Sequence, residues 1–164
     1  MGIMLIAPSI VGKRIPPSFT KEKTEILNIA KTELYKLLTD YENYSLWVKY
    51  LYQVKTERIG NGKLKIMQTY KRRKTYQELT EVRRIENEKI SEISIFKSED
   101  EGVTLWTYIL ENLENGKTKM TIRETMYIYH PYLRFMLKYI LRDENGKGEF
   151  LKNIKKFIRK NNKK

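Results

Sequence analysis

The segment 24–52, TEILNIAKTELYKLLTDYENYSLWVKYLY, constrains this chain more than any other part of it. A short alternating stretch runs into a helical one, which stops at Thr39-Asp40. An aromatic-rich turn carrying Tyr44 and Trp47 follows, then six further strand-like segments and a closing amphipathic helix. That order is α+β. It describes a curved seven-stranded antiparallel sheet wrapped around a C-terminal helix, with two short helices after strand one and an apolar cavity between the layers. It points to a binding pocket and away from a grafted catalytic motif.

The punctuation along the chain supports this order. Residues 23–29 alternate as a first strand, and Leu34, Leu37 and Leu38 fall at helical spacing within 31–38. Asp40 is expected to cap the next short helix, with Glu42 favourable in its first turn. Strands are predicted at 52–59, 63–70, 75–85, 89–96, 103–113 and 117–128. Gly60-Asn61-Gly62 and Asn115-Gly116 read as hairpin turns, because Asn-Gly accepts the positive φ such turns require. Lys71-Arg72-Arg73-Lys74 forms a basic tip, and 98–102 an acidic turn.

Two helices end the chain. Pro131 suits a first helical position, and the helix 131–142 is apolar around most of its circumference, leaving Arg134, Lys138 and Arg142 on one narrow stripe. Such a helix is buried on more than one side or meets a membrane or partner. After a break at 145–148, the stretch 149–160 places Phe150, Leu151, Ile154, Phe157 and Ile158 on one face.

With 164 residues the chain is long enough for one domain with a real core. The expected division is an N-terminal arm, 1–20, and a single domain, 21–164. Residues 3–11 are apolar but interrupted by Pro8, and far shorter than the roughly 20 residues a membrane helix needs. Their basic residues, Lys13 and Arg14, follow the apolar run, whereas a secretory signal carries its charge first. Ile6 removes the myristoylation pattern from Gly2. An alternative reading makes 3–11 the remnant of a longer membrane anchor. The absence of cysteine excludes disulfides, thiolate metal sites and cysteine nucleophiles, and suits a cytoplasmic setting.

A formal charge of +13 invites a polyanion partner, but 20 acidic residues are interspersed with the 33 basic ones. The reading preferred here is a solvated basic surface with weak anionic-membrane contact and no specific nucleic acid. Catalytic and cofactor motifs are scarce. His130 is the only histidine, so it has neither a second histidine for a metal site nor a nucleophile elbow, and a structural or capping role is expected. No glycine-rich phosphate cradle is present, and no cofactor or metal is expected.

Several stretches taken together resemble a known family. Ile29-Ala30, Leu34, Leu37-Leu38-Thr39-Asp40, Tyr44 and Trp47 are similar to the N-terminal signature of the SRPBCC superfamily, the START-like and polyketide-cyclase-like group with the helix-grip fold. Glu78-Leu79-Thr80-Glu81-Val82 resembles its fourth strand. Trp106 resembles its sixth, and Gly116-Lys117-Thr118 before Thr121-Ile122-Arg123-Glu124 its seventh. Lys31 stands where a proline is usual, and Arg83-Arg84 where the family is often proline-rich. The resemblance covers roughly residues 20–160. It implies a deep cavity for a lipid or other hydrophobic molecule, with a few members acting as cyclases or hydrolases.

Strand alternation then selects the candidate wall. On the seventh strand Met120, Ile122, Glu124 and Met126 share a face, and Glu124 is its one carboxylate. The resemblance turns the face of Trp106 and Tyr108 inward. Trp47, Tyr70 and Tyr76 are further wall candidates, and Phe150, Ile154 and Phe157 face them from the last helix. Binding of a hydrophobic small molecule or lipid is the leading expectation. The alternatives are a cyclase- or hydrolase-type enzyme using Glu124 with a tyrosine hydroxyl, and a peripheral membrane module resting on helix 131–142.

Overall fold

A computed structural model describes residues 9–60, 63–72, 74–87, 90–100, 102–139 and 145–161. Residues 9–13 are helical. The elements that follow are β1 (Ser18–Leu27), α1 (Lys31–Thr39), a 3-10 turn (Tyr41–Asn43), α2 (Tyr44–Trp47) and β2 (Leu51–Ile59). Next come β3 (Lys63–Tyr70), β4 (Tyr76–Ile85), β5 (Ile90–Glu99), β6 (Gly102–Asn112) and β7 (Thr118–Ile128). The chain closes with α3 (Pro131–Tyr139) and α4 (Asn145–Asn161).

The seven strands form one antiparallel sheet in the order β1-β7-β6-β5-β4-β3-β2. Five consecutive hairpin pairings build β2 to β7, and β1 then pairs with β7, Ser18 opposite Tyr127 through Leu27 opposite Thr118. The first and second strands therefore lie at opposite edges. The connection through α1 and α2 must cross the whole sheet, and it does so on the face that also holds α4. Register shifts between Leu51 and Gln53 and between Glu81 and Arg83 are bulges that add bend and twist.

The core sits between sheet and helices. Leu34, Leu38, Ile66, Ile93, Leu110, Met120 and Ile154 are essentially inaccessible. In α1 the inward residues are Lys31, Leu34, Tyr35 and Leu38, at helical spacing; Leu37 is only partly buried, and Tyr35 takes the place expected for it. Lys31 is 4% exposed, and its ammonium donates to Ser91 Oγ at 2.8 Å and to the Asn87 carbonyl. A buried cation is tolerated there because these oxygens replace its water.

Several expectations need correction. The Asp40 side chain makes no capping bond to the 3-10 turn; its Oδ2 accepts from Asn43 Nδ2 at 2.8 Å instead. The first strand starts at Ser18, five residues earlier than the alternation suggested, because pairing with β7 extends it. Residues 145–148 are not a break but the first turn of α4. Gly148 there faces β1, with Lys23 Nζ 3.6 Å from where a Cβ would stand.

The turn at Asn115-Gly116 has both residues at positive φ, 64° and 70°, as expected. Asn61, Gly62 and Arg73 of the other predicted turns lie outside the described residues. In α3 no residue is fully buried. Arg134 is not a free member of a basic stripe, since its guanidinium donates to the carbonyls of Ile128 at 2.8 Å and Tyr129 at 3.0 Å. Arg142 of that stripe lies outside the described residues. No described helix is long and apolar enough to cross a membrane.

Candidate functional site

Along β6 and β7 the inward face changes character every second residue. Leu110 and Met120 are close-packed, then Tyr108 and Ile122, then Trp106 and Glu124, line a cavity of about 480 Å³. Leu79 of β4, Ile95 of β5, Leu51 of β2 and Phe150 of α4 complete its apolar wall, with Tyr44 of α2 among the lining residues. A volume of this size lies within the range of small-molecule sites, which run from about 300 to 1,000 Å³.

The polar groups fall into three clusters. Trp106 Nε1 donates to Glu124 Oε1 at 3.0 Å, a bond across the directly paired residues of β6 and β7. The Tyr70 hydroxyl lies 3.2 Å from Gln68 Oε1 and also meets Gln77 Oε1, the two glutamines being paired across β3 and β4. One hydroxyl proton serves only one of them, so the other amide donates to the tyrosine oxygen in its alternate orientation. Lys97, Thr104 and Glu149 stand at the cavity margin, with Lys97 ion-paired to Glu99.

The Tyr50 ring lies parallel to that of Tyr70, centroids 5.9 Å apart, and Tyr108 packs on Phe150 at 5.6 Å. Among the described residues neither the Tyr50 nor the Tyr108 hydroxyl has a hydrogen-bond partner. Burial, reinforced by Tyr50, Glu124 and Tyr70, pushes the Tyr108 phenol well above the ordinary tyrosine range. Burial, then Tyr70 and Glu149, does the same for Tyr50. Both therefore stay neutral at physiological pH and keep a proton to donate.

Of the twelve residues singled out from sequence, Tyr70, Trp106, Tyr108, Ile122, Glu124 and Phe150 line the cavity. Trp47, Met120 and Ile154 are buried in the packed core instead, and Phe157 packs against it beside Trp47. Met126 is half-buried, one step past Glu124 along β7. Tyr76 is on the other face of the sheet, 57% exposed, because β4 turns Gln77 and Leu79 inward and strand alternation then points Tyr76 out. His130 is exposed; its carbonyl accepts from Arg134 N at the start of α3, a backbone capping position.

Residues that the sequence reading missed are Tyr44, Tyr50, Leu51, Gln68, Gln77, Leu79, Ile95, Lys97, Thr104 and Glu149. Period two from Tyr70 reaches Gln68, and hairpin pairing from Gln68 reaches Gln77. That signal was available once Tyr70 was placed inward. Below the cavity, the Tyr41 hydroxyl donates to Glu81, which accepts two bonds from Arg84 at 2.8 and 2.7 Å. The β4 bulge makes this possible by returning Arg84 to the side of Glu81. Among the described residues no group of acidic or histidine side chains is placed to hold a metal ion.

No family model matches the chain, and no curated protein matches it. Solved structures do. The Zhui aromatase/cyclase from a Streptomyces species superposes with a TM-score of 0.64 at 11% identity, covering 87% of this chain and 94% of that one. A START superfamily protein from Mycobacterium smegmatis gives 0.61 at 9%, covering 86% and 97%. A truncated norcoclaurine synthase from Thalictrum flavum gives 0.62 at 8%, covering 86% and 93%. Identities this low carry the fold alone. The chain has the helix-grip fold.

Proposed function

We propose that this helix-grip domain binds a hydrophobic small molecule or lipid in the cavity between its sheet and α4. The observation that carries the reading is the lining itself. An apolar wall of Leu51, Leu79, Ile95, Ile122 and Phe150 is combined with two neutral phenol donors, Tyr50 and Tyr108, that have no partner among the described residues. Apolar burial supplies affinity for such a ligand, and a few placed polar groups select its orientation. A ligand with rings and one or two oxygen acceptors meets both demands. The neighbours named for aromatase/cyclase, START and norcoclaurine synthase proteins support a small-molecule occupant without naming it.

Native mass spectrometry of protein purified from its own host tests this, with a lipophilic fluorescent probe for protein stripped of ligand. A co-purifying lipophile is expected, and Ile122→Trp should exclude it while leaving the circular dichroism spectrum unchanged. Equal probe binding by wild type and the filled variant would place the binding elsewhere.

One observation favours a second reading. Glu124, oriented by the Trp106 N–H, shares the cavity with the Tyr108 hydroxyl, a proton acceptor and a neutral donor on opposite partners of one strand pair. An enzyme of cyclase or hydrolase type would use the carboxylate as base and the phenol to stabilise a developing oxyanion. Turnover of a bound ligand that falls at least 100-fold in Glu124→Gln, with ligand affinity retained, would establish it (general-base loss costs on the order of 10²–10⁴).

A further inference from the structure

Gln68 and Gln77 are directly paired across β3 and β4, so strand geometry brings both side chains onto the same inward face, where they line the cavity. Neither amide bonds the other among the described residues. Both turn an amide oxygen toward the Tyr70 hydroxyl, and the parallel ring of Tyr50 holds the Tyr70 ring in place. Gln68 is only 9% exposed, and it faces the cavity.

This cluster leaves hydrogen-bonding capacity over. Two amides bring four N–H groups and two carbonyls, and one hydroxyl brings a single proton. Tyr70 donates to one carbonyl, and the other amide donates one N–H to the tyrosine oxygen. Whichever glutamine takes each part, three N–H groups and one whole carbonyl stay available. Neither amide nitrogen is sealed within protein, and neither has a further partner among the described residues. Glutamines that served only to tie β3 to β4 would bond N–H to C=O across the pair.

The leftover groups discriminate among ligands. Water can bond them until a ligand displaces it, and a ligand without matching groups then leaves buried N–H groups bare. Pure hydrocarbon is selected against at this wall for that reason. A carboxylate is also a poor match. Lys97, the one cation among the described lining residues, is already paired with Glu99, and Glu124 and Glu149 line the same cavity. A lone carbonyl occupies the N–H groups but leaves the carbonyl of the cluster unmatched. A group with an N–H beside a C=O engages both, since a glutamine amide grips an adjacent donor and acceptor with its own pair.

We propose that Gln68 and Gln77, oriented by Tyr70, form a subsite for an uncharged amide-type group, a carboxamide or lactam, carried by the hydrophobic ligand of the cavity. The subsite presupposes the cavity-binding reading and names the end of the molecule that meets β3 and β4.

Isothermal titration calorimetry of the full chain, stripped of ligand, tests it with four naphthalenes of similar shape: 2-naphthamide, 2-acetylnaphthalene, 2-naphthoate and 2-ethylnaphthalene. The wild type is expected to bind the amide on the order of 100-fold more tightly than the ethyl compound, since each hydrogen bond matched at a buried site contributes about a tenfold factor. The ketone should fall between them, and the carboxylate should bind at least about tenfold more weakly than the amide. In Gln68→Met with Gln77→Met the amide should lose its advantage, while the ethyl compound binds as tightly as before or more so. Circular dichroism and Tm check that this variant is folded; if it is not, Gln77→Met alone is expected to cut the advantage about tenfold. Ile122→Trp should block all four compounds. Equal affinity for the four, a preference for the carboxylate, or an amide advantage that survives in the folded variant would overturn the subsite, while a block by Ile122→Trp keeps the cavity reading. Binding that Ile122→Trp leaves unchanged, or no binding of any compound, would overturn the cavity reading and the subsite with it.

Discussion

The space between sheet and α4 has two halves built on the same strands. In one, Leu34, Leu38, Ile93, Leu110, Met120 and Ile154 fill the volume and exclude solvent. In the other, Tyr50, Tyr70, Tyr108, Trp106 and Glu124 surround a cavity. A single step of two residues along β6, from Leu110 to Tyr108, or along β7, from Met120 to Ile122, crosses from one to the other. The backbone does not change at that step. Branched aliphatic side chains interdigitate to crystalline density, whereas large rings with polar tips leave space and line it. The filled half thus serves as a rigid base for the open one.

The largest expected effect comes from alkali. Burial raises the pKa of Tyr41 in the base and of Tyr44, Tyr50, Tyr70 and Tyr108 in the wall. Below about pH 10 the folded and unfolded chains both hold these protons, so tyrosines add no pH dependence. Above it only the unfolded chain releases them, and stability falls by about 1.4 kcal/mol per pH unit for each tyrosine. Denaturation midpoints measured from neutral pH into alkali check this. A midpoint flat through about pH 11 would mean that the wall tyrosines are solvated, contrary to the comparison.

Next in size is the base itself. Leu110→Ala should cost about 2–5 kcal/mol by chemical denaturation, lost transfer energy plus the new void. Tyr108→Phe, two residues along, removes a hydroxyl without a protein partner and should cost less than about 1 kcal/mol. Equal costs at the two positions would erase the distinction between halves.

Glu81→Gln sits between them. It weakens the acceptor for the buried Tyr41 hydroxyl and removes the charge facing Arg84, for an expected loss of about 1–3 kcal/mol. Arg84→Ala should cost less, because the guanidinium is well exposed and its ion pair is screened. A larger loss from Arg84→Ala than from Glu81→Gln would contradict that order.

The smallest stability effect is also the sharpest test. Ile122→Trp adds an indole where the cavity has room, and should change stability by less than about 1 kcal/mol. Overpacking a filled core would cost about 1–3 kcal/mol. A loss in that upper range, seen in the same denaturation experiment, would mean that the wall closes up around Ile122.

Local patterns were legible where the physics is local. The strand, helix and aromatic-turn order of residues 24–52, the extent of β3 and the left-handed Asn115-Gly116 turn follow from alternation, helical spacing and φ preference. The order of elements was enough for the fold class, and period two was enough to put Trp106 with Tyr108 on one face of β6 and Ile122 with Glu124 on one face of β7, whereas the inward turn of the Trp106 face rests on the family resemblance. Alternation alone does not say which face of β4 looks inward. Tyr76 and Gln77 are equally good strand residues, and the choice belongs to pairing with β3 and the bulge after Glu81. Nor does composition reveal a buried Lys31, whose partners Ser91 and Asn87 come from the β4–β5 end of the sheet.

By itself, then, the sequence determined the kinds and order of the elements, since propensity and periodicity act over a few residues. Only the tertiary structure decided which side chains share a space: the Gln68–Tyr70–Gln77 cluster, the phenols of the cavity wall, and Lys31 against Ser91. Those meetings depend on strand register and helix docking between segments far apart in the chain, and no local preference encodes them.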